Sequence, residues 1–163
     1  MINTIDLPIV LSEGANAPAY AHEGDAGMDL YCDSEPVRMS PGTRVAIATG
    51  VRLAIPEGYY GDIRSKSGLA LNHGITCLTG TIDASYRGEI KVVLINLSGT
   101  TYTFCRGDKI AQLVITPYAR ANVVPVHSLD DTDRGTDGFG STGKRSNRGF
   151  YAPRSPRGRF ATR

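Results

Sequence analysis

Residues 89–97 read EIKVVLINL and residues 109–116 read KIAQLVIT, and these two runs decide the fold class. Both are short, and β-branched residues occur at both alternating sets of positions, which is typical of strands buried on two faces. Residues 45–55 alternate between apolar and other residues and end at the turn signal Pro-Glu-Gly of residues 56–58. This third stretch is predicted to be one continuous strand.

The rest of the chain leaves little room for helices, because 19 Gly and 9 Pro interrupt it at short intervals. Residues 67–72, SGLALN, predict the one convincing helix, which His73-Gly74 would end. Residues 122–127, NVVPVH, predict a further strand that Pro125 restricts to an edge or a bulge. The predicted class is therefore all-β, a sandwich or barrel of many short strands with one short helix.

Length and composition indicate a single domain. With 163 residues, 40% of them hydrophobic, the chain can bury a core without disulfide or metal support. It has no apolar run of about 18 residues, and its start lacks the pattern of a signal peptide, so we expect a cytoplasmic protein with no membrane span. Cys32, Cys77 and Cys105 lack CxxC spacing, and we expect buried free thiols.

Charge divides the chain into a body and a basic tail. All 16 acidic residues lie at or before Asp137, whereas seven of the 18 Lys and Arg lie in residues 144–163. That tail has almost no aliphatic residues and cannot offset its ordering entropy by burial, so we expect it to be disordered and separate from a domain of residues 1–143. Contact of the tail with nucleic acid or an acidic partner is the less favoured alternative.

A glycine-rich segment precedes the tail. Residues 138–144, GFGSTGK, match the pattern GxGxxG and most of the pattern GxxxxGK(S/T), but such phosphate-binding loops follow a strand and open a helix, and neither is expected here. The glycines, Ser141, Thr142 and the upstream Arg134 nevertheless suit a phosphate chain. We interpret residues of about 130–143 as a mobile phosphate-binding arm, with a plain glycine-rich linker as the alternative.

Two aspartates are candidates for chemistry. Asp83 and Tyr86 lie in residues 80–89, GTIDASYRGE, which we place at the rim of a hairpin. A carboxylate there can act as a general base and an aromatic ring can support a sugar or base, although an Asp in a turn is more often a cap. Asp29 lies in an apolar strand, where it would bond to backbone or an Arg, or contact Mg²⁺ through water.

Five segments, taken in order, resemble the five motifs of the trimeric dUTPase family. They are AGMDL (26–30), SGLA (67–70), GTIDASYRGE (80–89), RGDKIAQL (106–113) and RGTDGFGSTG (134–143). The resemblance implies a jelly-roll-like (β-clip) subunit that assembles as a homotrimer with three active sites, each built from three chains. It also implies Mg²⁺-assisted hydrolysis of dUTP to dUMP and pyrophosphate, which limits uracil entry into DNA and supplies dUMP for dTMP synthesis.

The resemblance also implies roles for individual residues. Asp83 would activate water for attack on the α-phosphorus, Tyr86 would lie under the deoxyribose and exclude a 2′-hydroxyl, and Asp29 would contact Mg²⁺ through water. Uracil would pair with main-chain groups of the hairpin, Phe139 would stack on it, and the arm would close over the γ-phosphate from a neighbouring subunit. The expected substrate-binding residues are Lys66, Ser67, Gly68, Leu78, Thr79, Gly80, Thr81, Ile82, Tyr86, Gln112, Arg134, Phe139, Gly140, Ser141 and Thr142.

Two positions depart from the family pattern. The second motif commonly reads Pro-Arg-Ser-Gly, and Lys66 stands in place of the arginine; it keeps the charge but loses the bidentate fork, so contact with phosphate would weaken or move to Arg64. Asp137 stands where a glycine is usual, close to the phosphate loop. Two other functions remain open: a dCTP deaminase, alone or combined with dUTPase activity, and a scaffold that binds a regulator or nucleic acid through the tail.

Overall fold

The computed structural model describes residues 4–78 and 80–136, grouped into the units Met1–Ala121 and Asn122–Arg163. Over these residues the chain forms eleven β-strands and one helix. In order they are β1 (Ile9–Leu11), β2 (Met28–Tyr31), β3 (Val37–Met39), β4 (Arg44–Ala48), β5 (Val51–Leu53), β6 (Tyr59–Arg64), α1 (Ser67–His73), β7 (Ile75–Cys77), β8 (Thr81–Ile82), β9 (Lys91–Asn96), β10 (Tyr102–Phe104) and β11 (Lys109–Pro117). The predicted boundary at residue 143 lies outside the described residues.

The strands pair antiparallel in two larger and two smaller sheets. The larger sheets have the strand orders β2-β11-β6-β8 and β4-β9-β7, and the smaller ones are the pairs β1-β5 and β3-β10. The two runs that decided the fold class form β9 and β11, each an inner strand of a larger sheet. In each of these strands buried positions are interspersed with half-buried ones, so both faces are at least partly covered, which suits their apolar residues.

One hydrophobic core joins the two larger sheets. Leu30 and Leu113 from the four-stranded sheet belong to the same buried cluster as Ile47, Ile75 and Leu94 from the three-stranded sheet. Burial of such side chains is the main favourable contribution to folding. The predicted all-β class is confirmed.

The predicted continuous strand over residues 45–55 is wrong in one respect. The chain turns between β4 and β5 at Gly50, whose φ is +67°, a left-handed conformation that favours glycine. A Cβ at this position would lie 2.5 Å from both Ala15 Cβ and Asp33 Oδ2. The alternating pattern is therefore real, but it belongs to two strands in different sheets.

The helix prediction is confirmed. Helix α1 extends one residue past the predicted stretch and ends at Gly74, which has a φ of +63° and donates its N–H to Ala70 O. Its side chains are mostly exposed, and Leu71 is 87% exposed. Within the described part of the chain there is no helix long and apolar enough to cross a membrane.

Two other predictions differ from the structure. No strand is assigned to residues 122–127 within the described range 122–136, because a strand requires a partner edge and Pro125 has no N–H to donate. Cys32 is buried as expected, but Cys77 is only half-buried and Cys105 is exposed. Cys105 begins a tight turn and donates its N–H to Asp108 Oδ2 at 2.7 Å, which holds this residue at the surface.

Candidate active site

The predicted hairpin is formed by β7 and β9, and its long connection carries Asp83 and Tyr86. Strands β7 and β9 pair antiparallel, and β8, within the connection, pairs with β6 of the other sheet. Asp83 directly follows β8 and is exposed. A turn closes behind it, because Tyr86 N–H donates to Asp83 O at 3.0 Å. The prediction that both residues lie at the rim of a hairpin is confirmed.

The Tyr86 ring has a defined position within this turn. Its hydroxyl donates to Glu89 O at 3.0 Å, and its ring lies against Gly88, where any Cβ would overlap it. The Arg87 guanidinium donates to Ala84 O at 2.6 Å and to Tyr86 O at 2.8 Å. The ring is still 45% exposed, so it is available to a ligand.

Asp83 lies between two concavities. A groove of about 840 Å³ on one side includes Arg87 and Arg120 and the edge-to-face pair of Tyr60 and Tyr118, whose ring centroids are 6.3 Å apart. The hollow on the other side, of about 240 Å³, is lined by Thr81, Ile82, Asp83, Tyr86, Glu89 and Lys91. The sequence analysis did not single out Glu89 and Lys91. Lys91 stands at an exposed position of β9, and the alternation of residues along this strand could have predicted that exposure.

A second cluster surrounds Asp29 on β2. The register aligns Asp29 with Gln112 on β11, and Gln112 with Arg64 on β6, so the first, second and fourth motifs meet. Asp29 is only 1% exposed; its Oδ1 accepts from Lys66 Nζ at 2.5 Å and its Oδ2 from Lys109 Nζ at 2.7 Å. Its partners are lysines, not the backbone or an Arg as expected.

The electrostatics of this cluster follow from the two lysines. Burial by itself would raise the pKa of the Asp29 carboxyl, but the hydrogen bonds and charges of Lys109 and Lys66 outweigh it and hold the pKa below its usual value. The same hydrogen bond raises the pKa of Lys109. Two ammonium groups against one carboxylate leave a net positive charge, which suits an anion better than a bare cation.

Candidate phosphate contacts lie around this cluster. Ser67 and Gly68 are exposed at the start of α1, and Gln112 is half-buried. Arg64, the other cation considered for this role, is exposed and pairs with Asp62, with Nη2 and Oδ2 2.6 Å apart. Lys66 and Arg64 are thus each held by a different carboxylate.

The two clusters lie apart within one chain. Strand β6 pairs Gly61 with Ile82, which puts Asp83 beside Tyr60, whereas Gln112 pairs with Arg64 at the other end of the same strand. Four residues of an antiparallel strand span about 13 Å. The structure therefore brings Asp29, Lys66 and Gln112 together but does not bring Asp83 to them.

The described main chain of this segment, Leu78 and residues 80–82, is tightly held. Leu78 N–H donates to Val93 O at 2.9 Å, and Gly80 O accepts from Ile63 N–H at 2.7 Å. A Cβ at Gly80 would lie 2.7 Å from Ile63 O, so this close approach of two backbones requires glycine. Thr81 and Ile82 pair with β6.

Several predicted site residues cannot be located. Thr79, Asp137, Phe139, Gly140, Ser141 and Thr142 lie outside the described residues. Arg134 is described; it is exposed in a turn of the unit Asn122–Arg163, closed by Gly135 N–H donating to Thr132 O at 2.9 Å.

An exposed carboxylate beside an aromatic ring, together with a separate cationic cluster, defines an all-β protein equipped to act on a phosphorylated ligand. Comparison with known proteins identifies the family. Residues 13–143 match the model of the dUTPase family. The chain is 48% identical over 146 residues to the deoxyuridine 5'-triphosphate nucleotidohydrolase of Leifsonia xyli subsp. xyli, covering 88% of this chain and 93% of that protein. This protein belongs to the dUTPase family.

Solved structures agree with this assignment. A mutant of the Staphylococcus bacteriophage 80alpha dUTPase with dUpNHpp superposes with a TM-score of 0.80, at 30% identity, covering 86% of this chain and 99% of that one. A mutant dUTPase from phage phi11 of S. aureus, described with a structural Mg(II) ion, gives a TM-score of 0.72 at 30% identity, covering 78% of this chain and 100% of that one. The predicted β-rich, jelly-roll-like fold is thus confirmed.

Proposed function

We propose that this protein hydrolyses dUTP to dUMP and pyrophosphate, with Asp83 as the general base. The observation that carries the proposal is the exposed Asp83 carboxylate on a fixed turn beside the Tyr86 ring, in a chain of the dUTPase family. Asp83 takes a proton from a water molecule. The water oxygen attacks the α-phosphorus, and the bond from this phosphorus to the pyrophosphate oxygen breaks. Such a displacement depends on positioning and charge neutralisation more than on covalent chemistry.

The hollow beside Asp83 would hold the nucleoside. The exposed face of Tyr86 would support the deoxyribose, and main-chain groups of residues 78–82 would pair with uracil. Leu78 N–H is already donated to Val93, so the base would use other groups of this segment. Backbone groups held this firmly discriminate by shape as well as by hydrogen bonding, because they cannot move to accept a larger base.

The positive cluster would hold the phosphates. Lys66 and Gln112 lie together there, with Ser67 and Gly68 exposed next to Lys66. Asp29 fixes the direction of the Lys66 side chain, which offsets the bidentate geometry lost with arginine. The remaining phosphate and uracil contacts proposed for the arm are Arg134, Phe139, Gly140, Ser141 and Thr142.

The residues around Asp29 fit a Mg²⁺ that the substrate brings with it. Across residues 4–78 and 80–136 no group of three or more His, Cys, Asp or Glu could hold a metal ion alone. Each Asp29 oxygen accepts one lysine hydrogen bond and keeps a lone pair for water, so Asp29 would hold the ion through water. When bound, Mg²⁺ neutralises triphosphate charge.

We propose that the complete site is shared between copies of the chain. Asp83 and Lys66 lie at opposite ends of β6, and in a homotrimer neighbouring subunits would supply them to one site. Residues 122–129 also carry exposed apolar side chains that assembly would cover: Val123, Val124, Val126 and Leu129. A nucleotide substrate is also consistent with the cytoplasmic location that we predict.

Pyrophosphate release tests the activity. Release is measured from dUTP beside dTTP, dCTP and UTP, with Mg²⁺ present, for the native chain and Asp83→Asn. We expect selective release from dUTP and a loss of at least about 100-fold in the variant, with nearly unchanged binding of a non-hydrolysable dUTP analogue. Ammonia release from dCTP would favour the deaminase alternative, and equal loss of binding would mean that Asp83 is structural.

Subunit complementation tests the shared site. Asp83→Asn and Lys66→Ala chains are prepared separately and then unfolded and refolded together. Sites that combine an intact Asp83 from one chain with an intact Lys66 from another would recover part of the activity. No recovery in a mixture of the expected trimer mass would argue against sharing.

Deletion of residues 144–163 separates an accessory tail, which would leave hydrolysis intact, from a tail that belongs to the site.

A further inference from the structure

The Glu89 side chain ties the Asp83 turn to the turn between β4 and β5. Its Oε1 accepts a hydrogen bond from Gly50 N–H at 2.9 Å. The next residue continues the link, since Ile90 N–H donates to Val51 O at 2.8 Å and Ile90 O accepts from Thr49 Oγ1 at 2.7 Å. Thr49, Val51 and Ile90 are all buried. The backbone at residues 89–90 is therefore anchored to the core.

The donor at Gly50 has a fixed position. Gly50 is packed so closely against Ala15 and Asp33 that no Cβ fits, and Val51 N–H, on the other side of the same turn, donates to Thr49 Oγ1 at 3.2 Å. A hydrogen bond from a rigid donor to a charged acceptor is both stronger and more directional than one between neutral groups. Glu89 is thus held at a point that does not move with the exposed turn.

Tyr86 depends on this anchor. Its hydroxyl donates to the main-chain oxygen of Glu89, and its ring lies against Gly88, the residue before it. The direction of the ring is therefore set by Gly88 and Glu89. The hydrogen bond between Glu89 and Gly50 fixes the backbone of these two residues. Neither the family comparison nor the sequence motifs give Glu89 a role of its own.

We propose that Glu89 is a positioning residue that sets the angle of the Tyr86 ring and thereby the discrimination between deoxyribose and ribose. This inference rests on the proposed function, because it takes Tyr86 as the ring that meets the sugar. Without the Glu89 carboxylate the turn loses its link to Gly50, the ring shifts, and room opens for a 2′-hydroxyl. The substitution Glu89→Gln would keep an acceptor oxygen at the same reach, whereas Glu89→Ala would remove it.

Steady-state kinetics with dUTP and UTP test the inference. Glu89→Ala is expected to lower the ratio of kcat/KM for dUTP to that for UTP about tenfold, the scale of one charge-assisted hydrogen bond. Glu89→Gln should stay within about twofold of the native ratio. The matched control, Glu35→Ala, removes the same charge from an exposed loop and should leave the ratio unchanged. An unchanged ratio in Glu89→Ala, or an equal fall in Glu89→Gln, overturns the inference.

A double variant separates action through Tyr86 from direct contact with the sugar. In a Tyr86→Phe background the hydroxyl bond to Glu89 O is already absent. Adding Glu89→Ala should then lower the sugar ratio less than it does in the native background, because only the contact of the ring with Gly88 is left to transmit the change. A full additional tenfold loss would mean that Glu89 acts on the substrate itself and would overturn a positioning role.

A ligand-free measurement keeps the inference separate from the proposed function. The chain is labelled with 3-fluorotyrosine, and the ¹⁹F signal that disappears in Tyr86→Phe belongs to Tyr86. That signal should shift or broaden in Glu89→Ala but not in Glu89→Gln; an unchanged signal in Glu89→Ala overturns the inference even if dUTP is hydrolysed. If the native chain hydrolyses no dUTP, the proposed function fails and this signal still decides whether Glu89 positions the ring. Glu89→Asp, one methylene shorter, replaces Glu89→Ala should the latter not fold.

Discussion

Replacing Asp29 by Asn should destabilise the protein more than its small change in size suggests. In the native chain the Asp29 side chain is 2% exposed and its carboxylate accepts one hydrogen bond from each of two lysines. The amide is neutral and places an NH₂ donor where one carboxylate oxygen stood, so only the ammonium group that faces its oxygen keeps an acceptor. The other would keep its charge with no counter-charge beside it.

The size of the loss follows from the pair of Asp29 and Lys66. Breaking a fully buried ion pair costs about 3–5 kcal/mol. The Lys66 side chain is 23% exposed and can regain some water, so we expect a loss of about 2–3 kcal/mol in the free energy of unfolding. Lys109 is nearly half exposed and is left out of this figure.

Urea unfolding at a fixed protein concentration and pH 7 measures the effect, since assembly would make stability depend on concentration. Asp62→Asn is the matched control, because Asp62 pairs with an Arg64 that is 67% exposed, and it should cost at most about 1 kcal/mol. A change in Asp29→Asn within about 0.5 kcal/mol of zero would refute the reasoning.

The difference in the free energy of unfolding between the native chain and Asp29→Asn should depend on pH with a defined sign. The folded pKa of Asp29 lies below its ordinary value of 3.8, so the stability it contributes is complete above that value and is lost as the pH falls through the folded pKa. The gap between the native chain and Asp29→Asn should therefore be constant near neutral pH and shrink in acid. A gap that widens below pH 3.8 would contradict the assignment.

Two further substitutions test the site from other directions. Gly80→Ala should lower the free energy of unfolding in urea by about 1–3 kcal/mol, because its Cβ would meet Ile63 O. Gly99→Ala, which meets no atom within 4 Å, should change it by less than about 0.5 kcal/mol, and equal effects would mean that the backbone contact does not matter. Phe139→Ala should raise KM for dUTP and lower kcat by weakening closure of the arm over uracil; unchanged kinetics would exclude the stacking role.

The parts of the fold that the sequence predicted are those decided locally. The apolar runs of residues 89–97 and 109–116 identify inner strands, and His73-Gly74 identifies the end of α1, because each signal lies within a few residues of the element it describes. The hairpin position of Asp83 followed from the same kind of signal, a glycine on one side and a strand on the other.

The parts that were missed depend on contacts between distant residues. Gly50 is a local signal for a break, but its requirement for glycine comes from Ala15 and Asp33, which are distant in the sequence and pack against it. Lys109 lies within a quoted motif, but its pairing with Asp29 requires the register of two strands. Residues 122–127 have the composition of a strand, yet composition alone does not provide an edge to pair with.

The different burial of the two carboxylate pairs has a consequence for ionic strength. At physiological salt the Debye length is about 8 Å, and added salt screens exposed charges much more than buried ones. The ion pair of Arg64 and Asp62 therefore weakens as the salt concentration rises. The ion pair of Lys66 and Asp29 persists, because only 2% of the Asp29 side chain is exposed. In concentrated electrolyte Lys66 remains the oriented cation of this cluster, while Arg64 becomes one more solvated charge on the surface.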